Sequence, residues 1–283
     1  MSESVPRGTS YPREGFVPGM PEPLYHYGGP KDELSFHLAM TLLHTPAHLR
    51  YAIDHPDDRD SAIKKFGRAV HAALLQPDRY DDLVTIMPEG KERRGNWWKK
   101  FSADHAGTDI LSFAEGEAVE DIRLRVRAHP LARVLLDPGT AQTEVSYFWT
   151  DPDTGVRCRA RADVLNEAHH MAIDVKKVTS CDARTIGRRF ADFKYHAQQA
   201  WYGDGLLELG WPLDTFVFLC IEGEFPHTVR LVTCKDVDVD AGRQANLIAR
   251  RRFAECLETD EWGAWPEVVE VVDMPPWGNS YPA

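Results

Sequence analysis

Residues 156–165, VRCRARADVL, alternate between small or apolar side chains and charged ones. A period of two over ten residues fits an extended strand with one face in a core and excludes a helix. Val156, Cys158, Ala160, Ala162 and Val164 share the buried face, and Arg157, Arg159, Arg161 and Asp163 share the other. Before it, Thr143–Trp149 (TEVSYFW) reads as a strand and Asp151-Pro152-Asp153-Thr154-Gly155 as a turn, so the two form a hairpin. After the turn Asn166–His169, Met171–Val178 reads as a third strand.

Helical patterns precede this strand block: Leu34–Leu43, a short helix started by Thr45-Pro46 and running through Tyr51, and Ser61–Leu75. In the last of these Phe66, Val70 and Leu74 form an apolar stripe, with Asp58 and Asp60 placed to cap its start. Lys91–Lys100 (KERRGNWWKK) reads as an exposed loop or helix edge, and Leu111–Leu136 as a helix ended by Asp137-Pro138-Gly139. Beyond the third strand come a helix over Tyr195–Leu209, strands Thr215–Ile221 and Thr228–Cys234, and an amphipathic helix over Val239–Leu257. The expected fold class is α/β, a central mixed sheet flanked by helices behind a helical N-terminal section. Residues 1–30 carry six prolines among glycines and polar groups and read as a flexible arm, leaving residues 31–283 as one domain.

No stretch approaches the ~20 consecutive apolar residues of a membrane span, and MSESVPRGTSYPREGF lacks the apolar segment of a secretory signal. Cys158, Cys181, Cys220, Cys234 and Cys256 form no CxxC pair, which argues against a zinc ribbon or a four-cysteine cluster. The expectation is a cytoplasmic protein with no membrane partner. Lys and Arg number 33 against 44 Asp and Glu, for a net charge of −11. The acid is concentrated from Asp204 onward, at net −9, whereas Arg157–Tyr202 is net +4. The middle of the chain can therefore meet a polyanion that the whole molecule would repel.

Strand parity brings candidate chemistry together. Asp163 ends the second strand on its charged face, and Asp174 and Lys176 point the same way from the third. If the strands are neighbours, the three converge on one side of the sheet. Two close carboxylates tolerate each other best around a cation, and their oxygens suit Mg²⁺ or Mn²⁺. His71 lies in a helix rich in small and apolar residues, where a neutral imidazole can serve as a further ligand. Gln198 and Tyr202, four apart, share one face of the helix after the third strand.

The order Gly67-x-x-x-His71, Glu144, Asp163, Asp174-Val175-Lys176, Gln198-x-x-x-Tyr202 resembles the PD-(D/E)XK nuclease superfamily in its RecB-like branch. It is more narrowly similar to the RecE (exonuclease VIII) C-terminal nuclease domain and related phage exodeoxyribonucleases. Leu34-Ser35 through Thr45-Pro46-Ala47-His48 resembles that group's N-terminal helices, and Trp265-Pro266 with Pro275-Pro276-Trp277 resembles its ending. The chain departs from the pattern twice. Ala160-Arg161-Ala162-Asp163 stands where Gly-Arg-Pro-Asp is usual, and Lys177 stands where the group has threonine.

The resemblance implies that His71, Asp163, Asp174 and the Val175 carbonyl ligate one or two Mg²⁺ ions, with Mn²⁺ able to substitute. It implies that Lys176 positions or activates the attacking water, that Glu144 is a further catalytic acid, and that Gln198 and Tyr202 hold the DNA. It further implies resection of linear double-stranded DNA from the 5′ end to leave 3′ overhangs for recombination by strand annealing. A ring homo-oligomer and a single-strand annealing protein as partner belong to the same implication. Arg159, Arg161, Lys177 and Arg188 are candidate phosphate contacts, and the adjacent Trp97 and Trp98 are candidates for base stacking. The alternatives are another RecB-like DNA nuclease (an exonuclease of the CRISPR-associated type, or an endonuclease) and a catalytically silent DNA-binding module of the same fold.

Overall fold

The computed structural model describes residues 11–55 and 61–274 of the 283-residue chain. In chain order the first elements are β1 (Gly15–Pro18), α1 (Glu22–Tyr27), β2 (Glu33–Ser35), α2 (Phe36–Leu42), α3 (Pro46–Asp54) and α4 (Ala62–Leu75). There follow α5 (Tyr80–Leu83), β3 (Val84–Ile86), α6 (Gly95–Asp104), β4 (Asp109–Leu111), α7 (Phe113–Ala128) and α8 (Pro130–Leu135). The remainder is β5 (Ala141–Thr150), β6 (Arg157–Asn166), β7 (Met171–Val178), α9 (Ala183–Asp192), α10 (Tyr195–Glu208), β8 (Thr215–Glu222), β9 (Val229–Val232) and α11 (Asp236–Thr259).

Seven strands form one mixed sheet in the order β1-β5-β6-β7-β8-β9, with β2 added in parallel to β6. β5–β6 and β6–β7 are antiparallel, as hairpin connections require, and β7–β8 is parallel with α9 and α10 in the crossover. One face carries a core built on Tyr147, Trp149, Trp201, Phe218 and Phe253, and α2, α3, α9, α10 and α11 pack there. The other carries Phe66, Val70, Val119, Ile122, Ile173 and Leu219 under α4, α7 and α8. No helix among the described residues is long and apolar enough to cross a membrane.

Local chemistry sets the helix ends. Ser61 accepts from the Lys64 amide and starts α4. Asp58 and Asp60, expected as its caps, lie outside the described residues, as do residues 1–10 and Pro275-Pro276-Trp277. The helix expected over 111–136 is two: proline at 130 has no amide to donate to α7, so the chain bends at His129 and restarts as α8.

The flexible-arm expectation is corrected for residues 11–30. β1 pairs with β5 at the sheet edge, and Met20, Leu24 and Tyr25 are buried against Phe148. Proline suggested an unstructured segment, but Met20, Leu24 and Tyr25, with Tyr11 and Val17 beside them, gather in one cluster around Phe148. Proline is also compatible with an edge strand, where it ends β1, and with the first turn of α1.

Candidate metal centre

A fork between two strands builds the site. On its side away from β5, β6 pairs with β2 through residues 157–159 and with β7 through residues 164–166. Residues 160–163 pair with neither, and Asp163 stands where the gap closes. Its Oδ2 accepts a hydrogen bond from the Val175 amide at 2.7 Å, so the carboxylate replaces a backbone carbonyl at the point where β7 leaves β6. Across β5, Thr143 pairs with Val164 and Val145 with Ala162, but the opposed residues Glu144 and Asp163 are skipped.

Glu144 has φ = 53°, a left-handed conformation costing a non-glycine residue about 1–2 kcal/mol. This local break turns both strands over. Val145 and Ala162 pack in one core, whereas Ala141 and Val164 pack in the other. The reading that placed Val164 on the same face as Ala160 and Ala162 is therefore corrected. An alternation rule cannot detect such a switch when both neighbours of the break are apolar.

His71 reaches the fork from α4. Its Nε2 lies 3.2 Å from the Val175 carbonyl oxygen and its Nδ1 3.7 Å from Asp163 Oδ2. One donor atom each from His71, Glu144 and Asp163 lie within 4.8 Å of one another. Asp174 sits beside this triad, buried. Its Oδ1 accepts from Gln198 Nε2 at 2.7 Å, and its Oδ2 lies 2.5 Å from Lys176 Nζ without hydrogen-bond alignment. The Lys176 ammonium also faces the Tyr195 ring at 4.6 Å. A nitrogen and two carboxylates in mutual reach, with a third carboxylate whose buried oxygen lacks a hydrogen bond, fit a divalent cation with mixed N/O ligands such as Mn²⁺ or Mg²⁺.

The electrostatics agree with that fit. Burial, together with the neighbouring Asp163 carboxylate, pushes Glu144 up to about 7, against the pull of His71 and Arg161. Burial likewise raises Asp174 to about 6, with Lys176 opposing and Asp163 adding to the rise. Burial works against the charge on Lys176, yet Asp174, Tyr195 and Asp163 together raise its pKa, so the ammonium form is favoured.

A stability prediction follows from Glu144. Its folded pKa lies above the ordinary 4.5, so the metal-free protein loses stability as pH rises from 4.5 through about 7, where the buried carboxyl must give up its proton. Glu144→Gln removes that cost. Thermal melts in chelator at pH 8 should show the variant more stable by on the order of 2–3 kcal/mol, and the two proteins should converge near pH 4.5. Equal melting temperatures at pH 8 would contradict the burial of this charge beside Asp163.

The other expected site residues divide. Arg161 lines the site: it donates to Ser146 Oγ (2.8 Å) and the Met20 carbonyl (2.6 Å), and its Nη1 is 4.0 Å from Glu144. Tyr202 is half-buried, its ring packed near Tyr147 and Phe216 and within electrostatic range of Asp174 and Asp163. Two expected DNA contacts are corrected. Arg159 is 7% exposed and bound to Glu33 and Tyr11, so its guanidinium anchors the N-terminal segment. Gln198 is 6% exposed and orients Asp174, so it acts on the carboxylate rather than on a strand of DNA.

Lys177 points to the opposite side of β7 from Lys176, with its ammonium 4.9 Å over the Phe66 ring. Arg188 is exposed on α9. Trp97 and Trp98 sit half-exposed on α6, in the β3–β4 connection, where Trp97 stacks on Phe101 at 4.9 Å. Tyr195 was missed by the sequence reading. Its signal is its place three residues before Gln198, on the same helical face.

Residues 39–275 match the model of a family described as a PDDEXK-like domain of unknown function (DUF3799). No curated protein matches the chain. The fold is similar to the crystal structure of a putative exonuclease from Eubacterium rectale, with a TM-score of 0.61 at 14% identity over 90% of this chain and 94% of that one. The matched family covers most of the chain, and the strand fork with its acidic cluster falls inside the match. The chain belongs to the PDDEXK-like family DUF3799 and has the PD-(D/E)XK fold.

Proposed function

We propose that this protein is a Mg²⁺-dependent exodeoxyribonuclease that hydrolyses phosphodiester bonds of linear double-stranded DNA. The observation that carries the reading is the fork: His71, Glu144 and Asp163 gathered to ligand distance, with the Asp174–Lys176 pair beside them. His71, Glu144, Asp163, Asp174 and the Val175 carbonyl would hold a divalent ion there, which would supply charge neutralisation at the phosphate and a lowered pKa for bound water. Lys176, fixed between Asp174 and the Tyr195 ring, places a positive charge where the attacking oxygen loses its proton. Gln198 holds the Asp174 carboxylate in one orientation. Arg161 Nη1 is directed toward the same cluster and is suited to a non-bridging phosphate oxygen.

Resection from the 5′ end, 3′ overhangs for strand annealing, a ring of subunits and an annealing-protein partner extend the proposal on the strength of the sequence resemblance. Tyr202 remains a proposed DNA contact on the same basis, and Arg188, Trp97 and Trp98 remain proposed contacts on their charge and aromatic character. The test is digestion of end-labelled linear duplex and closed circular DNA with Mg²⁺, Mn²⁺ or EDTA. Loss of the linear duplex alone, stopped by EDTA, is the expected result. Cutting of closed circles would make the enzyme an endonuclease, and no cutting of either would make the chain a silent binding module.

A further inference from the structure

We propose that the N-terminal segment aims Arg161 at the metal centre, with Tyr25, the Met20 carbonyl and Ser146 acting as positioning groups for the guanidinium that faces the fork. The inference rests on the nuclease reading above and names what orients its phosphate contact. The Arg161 side chain is 11% exposed and is held along one edge and one face. Its Nε donates to Ser146 Oγ at 2.8 Å and its Nη2 to the Met20 carbonyl at 2.6 Å, which fixes the edge. The Tyr25 ring centre lies 4.6 Å from the guanidinium carbon and fixes the tilt of the plane. Nη1 makes no hydrogen bond among the described residues, and it is the nitrogen 4.0 Å from Glu144 Oε2.

Arg159, two residues earlier on β6, meets the same Tyr25 ring at 5.2 Å and marks the contrast. Its Nη1 donates to Glu33 and to the Tyr11 hydroxyl, both at 3.0 Å, so its charge is cancelled inside the protein. For Arg161 the ring and two neutral oxygens supply orientation without a counter-charge. The carboxylate within ion-pair distance of it belongs to the metal site itself. Its positive charge is therefore delivered to the acidic cluster and is available to an anion brought there.

Met20 and Tyr25 lie outside the matched family region, which begins at residue 39. They reach the fork because β1 pairs with β5 and because Met20, Leu24 and Tyr25 cluster around Phe148. Without the ring and the Met20 carbonyl, Ser146 alone would hold the guanidinium, and the plane could turn about that single bond. A displacement of about 1 Å at a group that must meet a transition state can cost 10²-fold in rate. The segment thus contributes to the chemistry through Arg161 and touches no reacting atom itself.

Steady-state cleavage of end-labelled linear duplex with Mg²⁺ tests the inference through a double-mutant cycle. Tyr25→Leu should lower kcat about tenfold, the size of a partly buried cation–π contact, with KM little changed. Tyr25→Phe keeps the ring and should retain the wild-type kcat. Arg161→Gln should lower kcat by on the order of 10²-fold. Adding Tyr25→Leu to it should cost nothing more, because no guanidinium is left to aim. A tyrosine that only fastens the segment would multiply the two losses instead. Ser146→Ala runs the same cycle from β5 with the N-terminal segment untouched, and it decides the matter if melting shows Tyr25→Leu unfolded. If the wild type cleaves and folded Tyr25→Leu keeps its kcat, or loses it equally with and without Arg161, the aiming role is wrong and the nuclease reading stands. A wild type that cuts no DNA in Mg²⁺ or Mn²⁺ makes both wrong.

Discussion

Asp174→Asn and Lys176→Met should each leave a folded protein whose nuclease activity falls by at least ~10³-fold, about 4 kcal/mol of transition-state stabilisation. The two residues form one unit: Lys176 Nζ is 2.5 Å from Asp174 Oδ2, while Gln198 fixes the other oxygen. Asparagine keeps the shape and the Gln198 contact but removes the charge that a cation and Lys176 both need. Methionine keeps the apolar stem of Lys176 and removes the charge that favours a deprotonated nucleophile. Because they share a pathway, the double variant should lose little more than either single one. Circular dichroism establishes folding, and steady-state cleavage of labelled linear duplex gives the loss. Either folded variant cutting at the wild-type rate would remove the fork from the chemistry.

Glu33→Ala should be the most damaging substitution outside the site, costing about 3–5 kcal/mol and on the order of 10 °C in melting temperature. The Glu33 carboxylate is fully buried and accepts from Arg157 (3.2 Å), Arg159 (3.0 Å) and the Tyr11 hydroxyl (2.5 Å). Its removal leaves the buried Arg159 guanidinium beside Tyr25 with no counter-charge. By contrast, Asp54 pairs with Arg50 and Lys31 at the surface, where solvent screens the pair, and Asp54→Ala should leave the melting temperature nearly unchanged. Calorimetric melting of the two variants gives the comparison. A Glu33→Ala protein as stable as wild type would mean that the N-terminal segment is not held by this pair.

The sheet and its site were legible to different depths, for physical reasons. β7 is bounded where the sequence places it, at Met171 and Val178, because a strand-length segment closed by a turn on each side has few alternatives. Asp163, Asp174 and Lys176 were found by parity, which works wherever a strand stays regular. The convergence itself arises differently, since Asp163 enters through the fork and the break at Glu144 reverses both strands, and neither leaves a mark in alternation. The roles of Arg159 and Gln198 were hidden because their partners, Glu33 and Asp174, lie 126 and 24 residues away in sequence. A charged residue read alone looks solvated, and only the fold shows what it is paired with. α9, with Arg184, Arg188 and Arg189 around the buried Ile186 and Phe190, is absent from the sequence reading because its polar face dominates its composition.

The claim on which the rest depends is that His71, Glu144 and Asp163 hold a divalent ion at the fork. Titration of Mn²⁺ into the purified protein, followed by calorimetry and by the electron paramagnetic resonance of free Mn²⁺, tests it without reference to any substrate. The wild type should bind the ion, and His71→Ala and Asp163→Asn should each weaken binding at least about tenfold, in keeping with the loss of one ligand. Mn²⁺ affinity unchanged in both variants, with both folded, would contradict it.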